Sequence, residues 1–432
     1  MSDFRKGCTP KSYGRGVKQN ESKGNQAFRQ MNTMIIKGGT VLTGGTEFRA
    51  DVVVRAGKLA YIGQDGESWA QKDNQYQPAE IIDAAGKYVA PGFIDLHAHG
   101  GGGADFGDGT AEAFRKVLAF HGSHGTTLLY PTSMTGSLDS LHKSIETYKQ
   151  VKSLGADGAA MGGWHMEGPY FSASKRGAQD PRYLKNPDPE EYMDIMKRTD
   201  GQVARWSLAP ELPGAHDMAR VLKARGVLMA YGHTDASFEE CEDAFNAGFT
   251  HMTHFFSGMS TVSRNGIYRR AGAVEYGYYN DDVTVELIGD GIHVPASMLK
   301  MTYKIKGADN IALVTDSIRA AGLPDGEYEL GEGGLRIRVA EGMACLADSQ
   351  TLAGSVATMD LVVRTVWRLT GLPLAQIVKS ATETPARIMG VDGSKGSLRE
   401  GFDADIVIFG NDVNISEVIV GGKLQHFERK NR

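Results

Sequence analysis

Residues 92–99 read Gly92-Phe93-Ile94-Asp95-Leu96-His97-Ala98-His99, a short apolar strand that ends in two histidines. Side chains alternate along a strand, so both imidazoles face one side and can grip one ion. The same figure returns down the chain. Strand candidates occupy residues 126–132, 159–167, 203–210, 226–233, 249–254, 283–290 and 311–316. Amphipathic helical stretches follow most of them, as in residues 111–122, 140–153, 216–226 and 237–248. Eight strands alternating with helices predict a (β/α)8 barrel of the TIM type, an α/β fold. A doubly wound nucleotide fold would need a phosphate loop after its first strand. The glycine run Gly100–Gly103 fits neither of the usual loop patterns.

Most of these strands end in a residue able to bind a metal or move a proton. The first ends in His97 and His99, the third in His165 and Glu167, the fifth in His233 and the sixth in His254. The seventh leads through Asp290 to His293, and the eighth ends in Asp316. In a β/α barrel those ends converge on one rim, where barrel enzymes place their active sites. Glu167, before Gly168-Pro169, offers a hard oxygen ligand. With His233 and His254 it makes a three-ligand set with room for water, as catalytic metals require. Such a set suits zinc or ferrous iron. A bound metal lowers the pKa of water from about 15.7 to about 7. A hydrolysis at such a site still needs a base for that proton and an acid to return it to the leaving group, and Asp316 can do both in turn. His165 reads as packing or support. His251, at an odd offset from His254, should face away, and His121, His124, His142 and His216 should face solvent.

Outside the barrel the text changes. Residues 34–90 and 392–432 hold short alternating strands punctuated by Gly and Asp, which predicts one small discontinuous β-sandwich formed by both chain ends around a barrel of residues 91–391. Residues 1–33, poor in aliphatics and without the apolar stretch of a secretory signal, read as a flexible leader. A net charge of -5 gives no reason to expect nucleic acid or an anionic membrane as partner. No apolar run approaches the roughly 20 residues that cross a bilayer. Three dispersed cysteines, Cys8, Cys241 and Cys345, suit a reducing cytoplasm and argue against a cysteine metal site.

Taken in order, residues 91–100, 165–170, 175–179, 231–237, 253–259, 290–294, 313–317 and 352–355 resemble the N-acetylglucosamine-6-phosphate deacetylases of the amidohydrolase superfamily. The resemblance spans about residues 34–428. It implies hydrolysis of the acetamide to glucosamine 6-phosphate and acetate, Glu167, His233 and His254 as metal ligands, and Asp316 as the acid/base. It further implies that His293 binds substrate and that Ser257 and Gly258 lie near the phosphate. Leu352, Ala353 and Gly354 would close over the sugar, with Ala178 and Gln179 beside it. The phosphate-binding arginine departs from the family spacing, and Arg269 or Arg270 is preferred to Arg264. A homodimer is also implied.

One further departure bears on the metal. Family members that bind a single ion lack histidines at the positions of His97 and His99, and carry a histidine where this chain has Gln179. The expectation is a second divalent ion on His97 and His99, bridged to the first by Glu167, with Gln179 only positioning substrate. One or two ions per chain, zinc or ferrous iron, remain open at this point. So do the galactosamine epimer as substrate, a cyclic amidase or D-aminoacylase activity, and a relative that binds metal without catalysis.

Overall fold

The computed structural model describes residues 33–72 and 80–427, so the expected leader lies outside the described residues except for Thr33. Eight parallel strands form the barrel: Phe93–Ala98, Thr126–Pro131, Trp164–Glu167, Val203–Leu208, Leu228–Tyr231, Phe249–Met252, Thr284–Ile288 and Ile311–Val314. The first two pair with each other, the last six form one sheet, and parallel bridges at Thr132–His165 and Ala98–Ser317 join the two pieces into a ring. All eight predicted strands are present. Trp164, Trp206, Phe249 and Leu287 pack outward in one large apolar cluster with Phe114, Tyr148 and Val363 of the surrounding helices. That packing leaves alternate positions such as His165, Glu167, Arg205 and Ser207 facing the barrel interior.

The chain ends build a second sheet. Its path runs Lys423–Leu424, Ile415–Val420, Ile406–Phe409, Tyr88–Pro91, Thr33–Thr43, Thr46–Arg55 and Lys58–Gly63, with Glu80–Asp83 pairing beside Thr33–Thr43. Its core joins Ile36, Val41 and Val52 from early strands to Ile406, Ile408 and Ile419 from late ones. Pro91 ends a strand of this sheet and Phe93 begins the barrel, so the sheet anchors the strand that carries His97.

An insertion of three antiparallel strands, Gly326–Leu330, Leu335–Ala340 and Met343–Leu346, follows the eighth barrel strand. A bridge from Cys345 to Leu352 and another from Ser317 to Ser355 fix residues 352–354 between the insertion and the barrel rim. At the insertion's tip Glu332 accepts from the Ser137 amide at 3.0 Å. Ser137 caps the helix Leu138–Leu154, so the insertion docks on the barrel's second helix.

Candidate metal centre and substrate cavity

Each of His233, His254 and Asp316 sits two residues beyond the end of its strand, in the left-handed region, with φ of 46°, 31° and 49°. Such backbone costs on the order of 1–3 kcal/mol per residue and collects at functional sites. Here it turns three side chains inward at the moment the strand ends. No propensity in the sequence signals it.

The result is two contiguous groups. His97, His99 and Asp316 form one, and Glu167, His233 and His254 the other; within each, the ligand atoms lie within 4.8 Å of one another. Glu167 faces both. Its Oε1 lies 3.1 Å from His254 Nε2 and 3.4 Å from His233 Nε2, while its Oε2 lies 3.3 Å from His99 Nε2. Asp316 Oδ1 stands 3.4 Å from His97 Nε2 and 3.3 Å from His99 Nε2. Gln179 donates to Glu167 Oε2 at 2.9 Å.

The imidazoles are aimed by what their other nitrogens meet. His233 Nδ1 lies 2.8 Å from the Lys175 carbonyl, His254 Nδ1 3.1 Å from the Ser257 carbonyl, and His97 Nδ1 3.3 Å from Glu286 Oε2. A proton on Nδ1, donated to each acceptor, leaves the Nε2 lone pair pointing into the cluster, the usual support of a metal-binding histidine. The donor set fits divalent cations in both groups.

Electrostatics agree. Burial favours the neutral acid at Glu167, yet the imidazoles of His97, His233 and His254 hold it well below the usual carboxylate range. Asp316 is lowered too, against burial, by His97 and His99. Burial opposes charge on His99, but Asp316 and Glu167 push its pKa up to about 10. Two carboxylates at the floor of a buried pocket thus draw positive charge.

Beneath this floor lies a network that the motifs did not flag. Arg205, fully buried, pairs with Glu286, which is equally buried. Arg205 also donates to Thr253 Oγ1 at 2.7 Å, and Glu286 accepts from the His254 amide at 3.0 Å. Glu286 therefore touches one member of each group, through His97 and His254. Its signal was available: an arginine and a glutamate standing inside otherwise apolar strand segments, where an unpaired charge is untenable. Replacing Arg205 with Met strands the Glu286 charge, and we expect a loss of about 3–5 kcal/mol of stability. Urea denaturation would check it; a loss below about 1 kcal/mol would refute the pairing account.

A cavity of about 360 Å3 opens over the cluster. Of the expected substrate residues, Ala178, Gln179, Ser257, Gly258, His293, Leu352, Ala353 and Gly354 line it, beside His99, Glu167, His233, His254 and Asp316. Gly258 has φ 60°, and a Cβ there would stand 2.8 Å from His233 Nδ1; at Gly354, φ 63°, it would stand 2.7 Å from Ile318 Cγ2. Both positions demand glycine so that backbone can approach the pocket. Asp290 stands behind the wall, its Oδ2 2.7 Å from His293 Nδ1, so it orients that ring instead of lining the cavity.

Several expectations need correction. Arg269 and Arg270 do not line the cavity of their own chain. They are exposed on a hairpin, Ser263–Asn265 and Tyr268–Arg270, that projects from the rim. His251 does not face away: it is fully buried, 3.4 Å from Glu286 Oε1, because the strand ends at Met252 and left-handed backbone turns His254, so the offset between the two is not counted along one strand. His121 is also fully buried, 3.0 Å from the Gly100 carbonyl and 3.1 Å from Ser317 Oγ, and burial lowers its pKa to about 4. His124, partly buried, pairs with Asp360 at 3.0 Å. His142 and His216 are half-buried. His165 packs edge-on to His97 and bonds Ser207 Oγ at 2.8 Å, as a supporting residue would.

The family model for amidohydrolases matches residues 88–424. The chain belongs to the amidohydrolase family. It is 33% identical to the N-acetylglucosamine-6-phosphate deacetylase of Lysinibacillus sphaericus, across 91% of this chain and 98% of that one. It is 32% identical to the N-acetylgalactosamine-6-phosphate deacetylase of Escherichia coli O157:H7, across 81% and 91% respectively. Among solved structures, a variant of the Mycobacterium smegmatis N-acetyl-D-glucosamine-6-phosphate deacetylase in complex with N-acetyl-D-glucosamine-6-phosphate superposes with a TM-score of 0.82 at 30% identity. That match covers 91% of this chain and 99% of the other. Barrel, insertion and small sheet thus belong to one amidohydrolase architecture.

Proposed function

We propose that this amidohydrolase removes the acetyl group of N-acetyl-D-glucosamine 6-phosphate, giving D-glucosamine 6-phosphate and acetate. The observation that carries the reading is the shared floor: one carboxylate, Glu167, between two groups of imidazoles, with Asp316 at the cavity's edge. The solved relative that superposes here holds the same sugar phosphate.

In this reading His233, His254 and Glu167 would hold one divalent ion, and His97, His99 and Asp316 would hold a second. Bound there, zinc or ferrous iron supplies an activated water and a Lewis acid for the amide carbonyl. Asp316 accepts the water's proton and returns it to the sugar nitrogen as the C–N bond breaks. Gln179, tied to Glu167 on one side and accepting from the Thr135 amide at 3.1 Å on the other, is held at the side of the pocket where the acetamide lies. His293, held by Asp290, faces the sugar. The backbone of Gly258, Leu352 and Gly354 lines the pocket, while the Ser257 and Ala353 amides are donated to the His254 and Ala344 carbonyls at 2.9 Å each and fix its walls.

The exposed arginines suit a homodimer in which the hairpin of one protomer, with Arg269 and Arg270, reaches the phosphate in its partner's pocket. Val262, Ile267 and Tyr268 on and beside that hairpin are exposed apolar residues of the kind an interface covers. Free Cys241 and Cys345 suit a cytoplasmic enzyme, and no helix among the described residues is long and apolar enough to cross a membrane.

Acetate release from N-acetylglucosamine 6-phosphate, with the galactosamine epimer and an N-acyl amino acid as controls, tests the substrate. We expect the gluco substrate to be preferred; faster turnover of the galacto epimer would reassign the enzyme. Metal analysis of chelator-free protein should give two ions per chain. One ion in fully active enzyme would exclude the paired arrangement.

A further inference from the structure

Beside the substrate cavity lies a second and larger one of about 460 Å3, a size at which small-molecule sites begin to be useful. The two share three wall residues: His99, Met134 and Glu167. The second cavity therefore meets the first at the metal centre, where His99 and Glu167 belong to both walls. Its walls near the centre are Thr132, Ser133, Met134 and Met166, and Leu141 lies on the helix that flanks it. The partition is thin. Thr135 on the second cavity's side bonds Gln179 on the first's, and Met134, half-buried, borders both. Methionine is the most adaptable of apolar side chains, suited to a wall that gives way.

We infer that this cavity receives the acyl substituent of the amide, so that the enzyme also hydrolyses 2-N-acyl amino-sugar 6-phosphates with unbranched chains longer than acetyl. The inference rests on the deacetylase reading. A secondary amide is planar and trans, which puts the sugar ring and the acyl chain at opposite ends of the bond. With the sugar in the first cavity and the carbonyl at the metal centre, a longer chain continues past His99 and Glu167 into the second. The space is not dry core. Thr135 Oγ1, Ser144 Oγ and Trp164 Nε1, all on residues of this wall, are buried with no partner in the protein, so water has work to do there that a short chain can displace only in part. The chemistry is unchanged: the C–N bond breaks, hydroxide adds to the acyl carbon, a proton goes to the amine, and propionate or butyrate leaves in place of acetate.

The test compares kcat/KM for N-acetyl-, N-propionyl- and N-butyryl-glucosamine 6-phosphate on the metal-loaded enzyme. Burial of a methylene is worth roughly fourfold, so the longer substrates should hold within about tenfold of acetyl. A tight acetyl pocket would discriminate by far more, and a loss beyond tenfold overturns the inference while acetyl turnover keeps the deacetylase reading intact. Absence of acetyl turnover would instead remove that reading itself. Gly136 lines only the second cavity, and a Cβ there meets nothing closer than 3.4 Å. Gly136→Leu should leave N-acetyl turnover within twofold and cut N-butyryl turnover by tenfold or more. Equal effects on both substrates would also overturn the proposal.

Discussion

Asp316→Asn is expected to lower kcat by about two to four orders of magnitude, the range over which a positioned general acid/base acts. Substrate affinity should change little. The substitution keeps the shape of the side chain but removes its negative charge, and with it the capacity to take and return a proton. It is also safe for the backbone, since Asp316 has φ 49° and asparagine is the residue most at ease there after glycine. Because Asp316 Oδ1 lies 3.3 Å from His99 Nε2, the variant must be assayed for metal as well as for rate. Retained ions with lost turnover identify a proton carrier. A variant within tenfold of wild type would remove Asp316 from the chemistry.

The second large effect is expected at Glu167. Its two oxygens face different groups, Oε1 the pair His233 and His254 and Oε2 His99, so one substitution weakens both. Glu167→Gln keeps an oxygen but loses the charge, and the amide nitrogen then opposes the donor Nε2 of Gln179, which now bonds Oε2 at 2.9 Å. We expect ion content to fall from two per chain to one or none, and kcat/KM to fall at least about a thousandfold, the several kcal/mol that metal activation supplies. Elemental analysis beside steady-state kinetics checks both. Two ions retained in Glu167→Gln would mean that the groups do not depend on a common carboxylate.

The barrel was legible because its strands are short apolar runs separated by helical repeats, and because chemistry-bearing residues recur where those runs stop. His97, His99, Glu167, His233, His254 and Asp316 all came from that regularity, and the structure gathers them within one floor. What escaped has physical reasons. His251 points inward because the strand stops at Met252 and left-handed backbone reorients His254, so the two-residue period on which its orientation was judged does not reach that residue. His121 lies on the buried face of its helix, packed on Gly100 of the glycine run that follows the first strand, a tertiary contact with no local signature. The arginines were expected from the family resemblance, with a spacing that departs from its pattern, and neither says whether a hairpin folds toward its own pocket or out from it. The pairing of Arg205 with Glu286 joins residues about eighty positions apart, visible in sequence only as two charges that needed partners.

The sheet that joins the chain's two ends has a consequence during synthesis. Tyr88–Pro91 pairs with Ile406–Phe409, so a strand that leaves the ribosome early completes its hydrogen bonds only after roughly 300 more residues. At about 5–20 residues per second the nascent edge waits roughly 15–60 s with its backbone donors exposed. The strand bearing His97 follows directly from that edge. Assembly of the ion-binding floor is therefore a late event, timed by translation of the final segments, and the growing polypeptide is a natural client for chaperones until then.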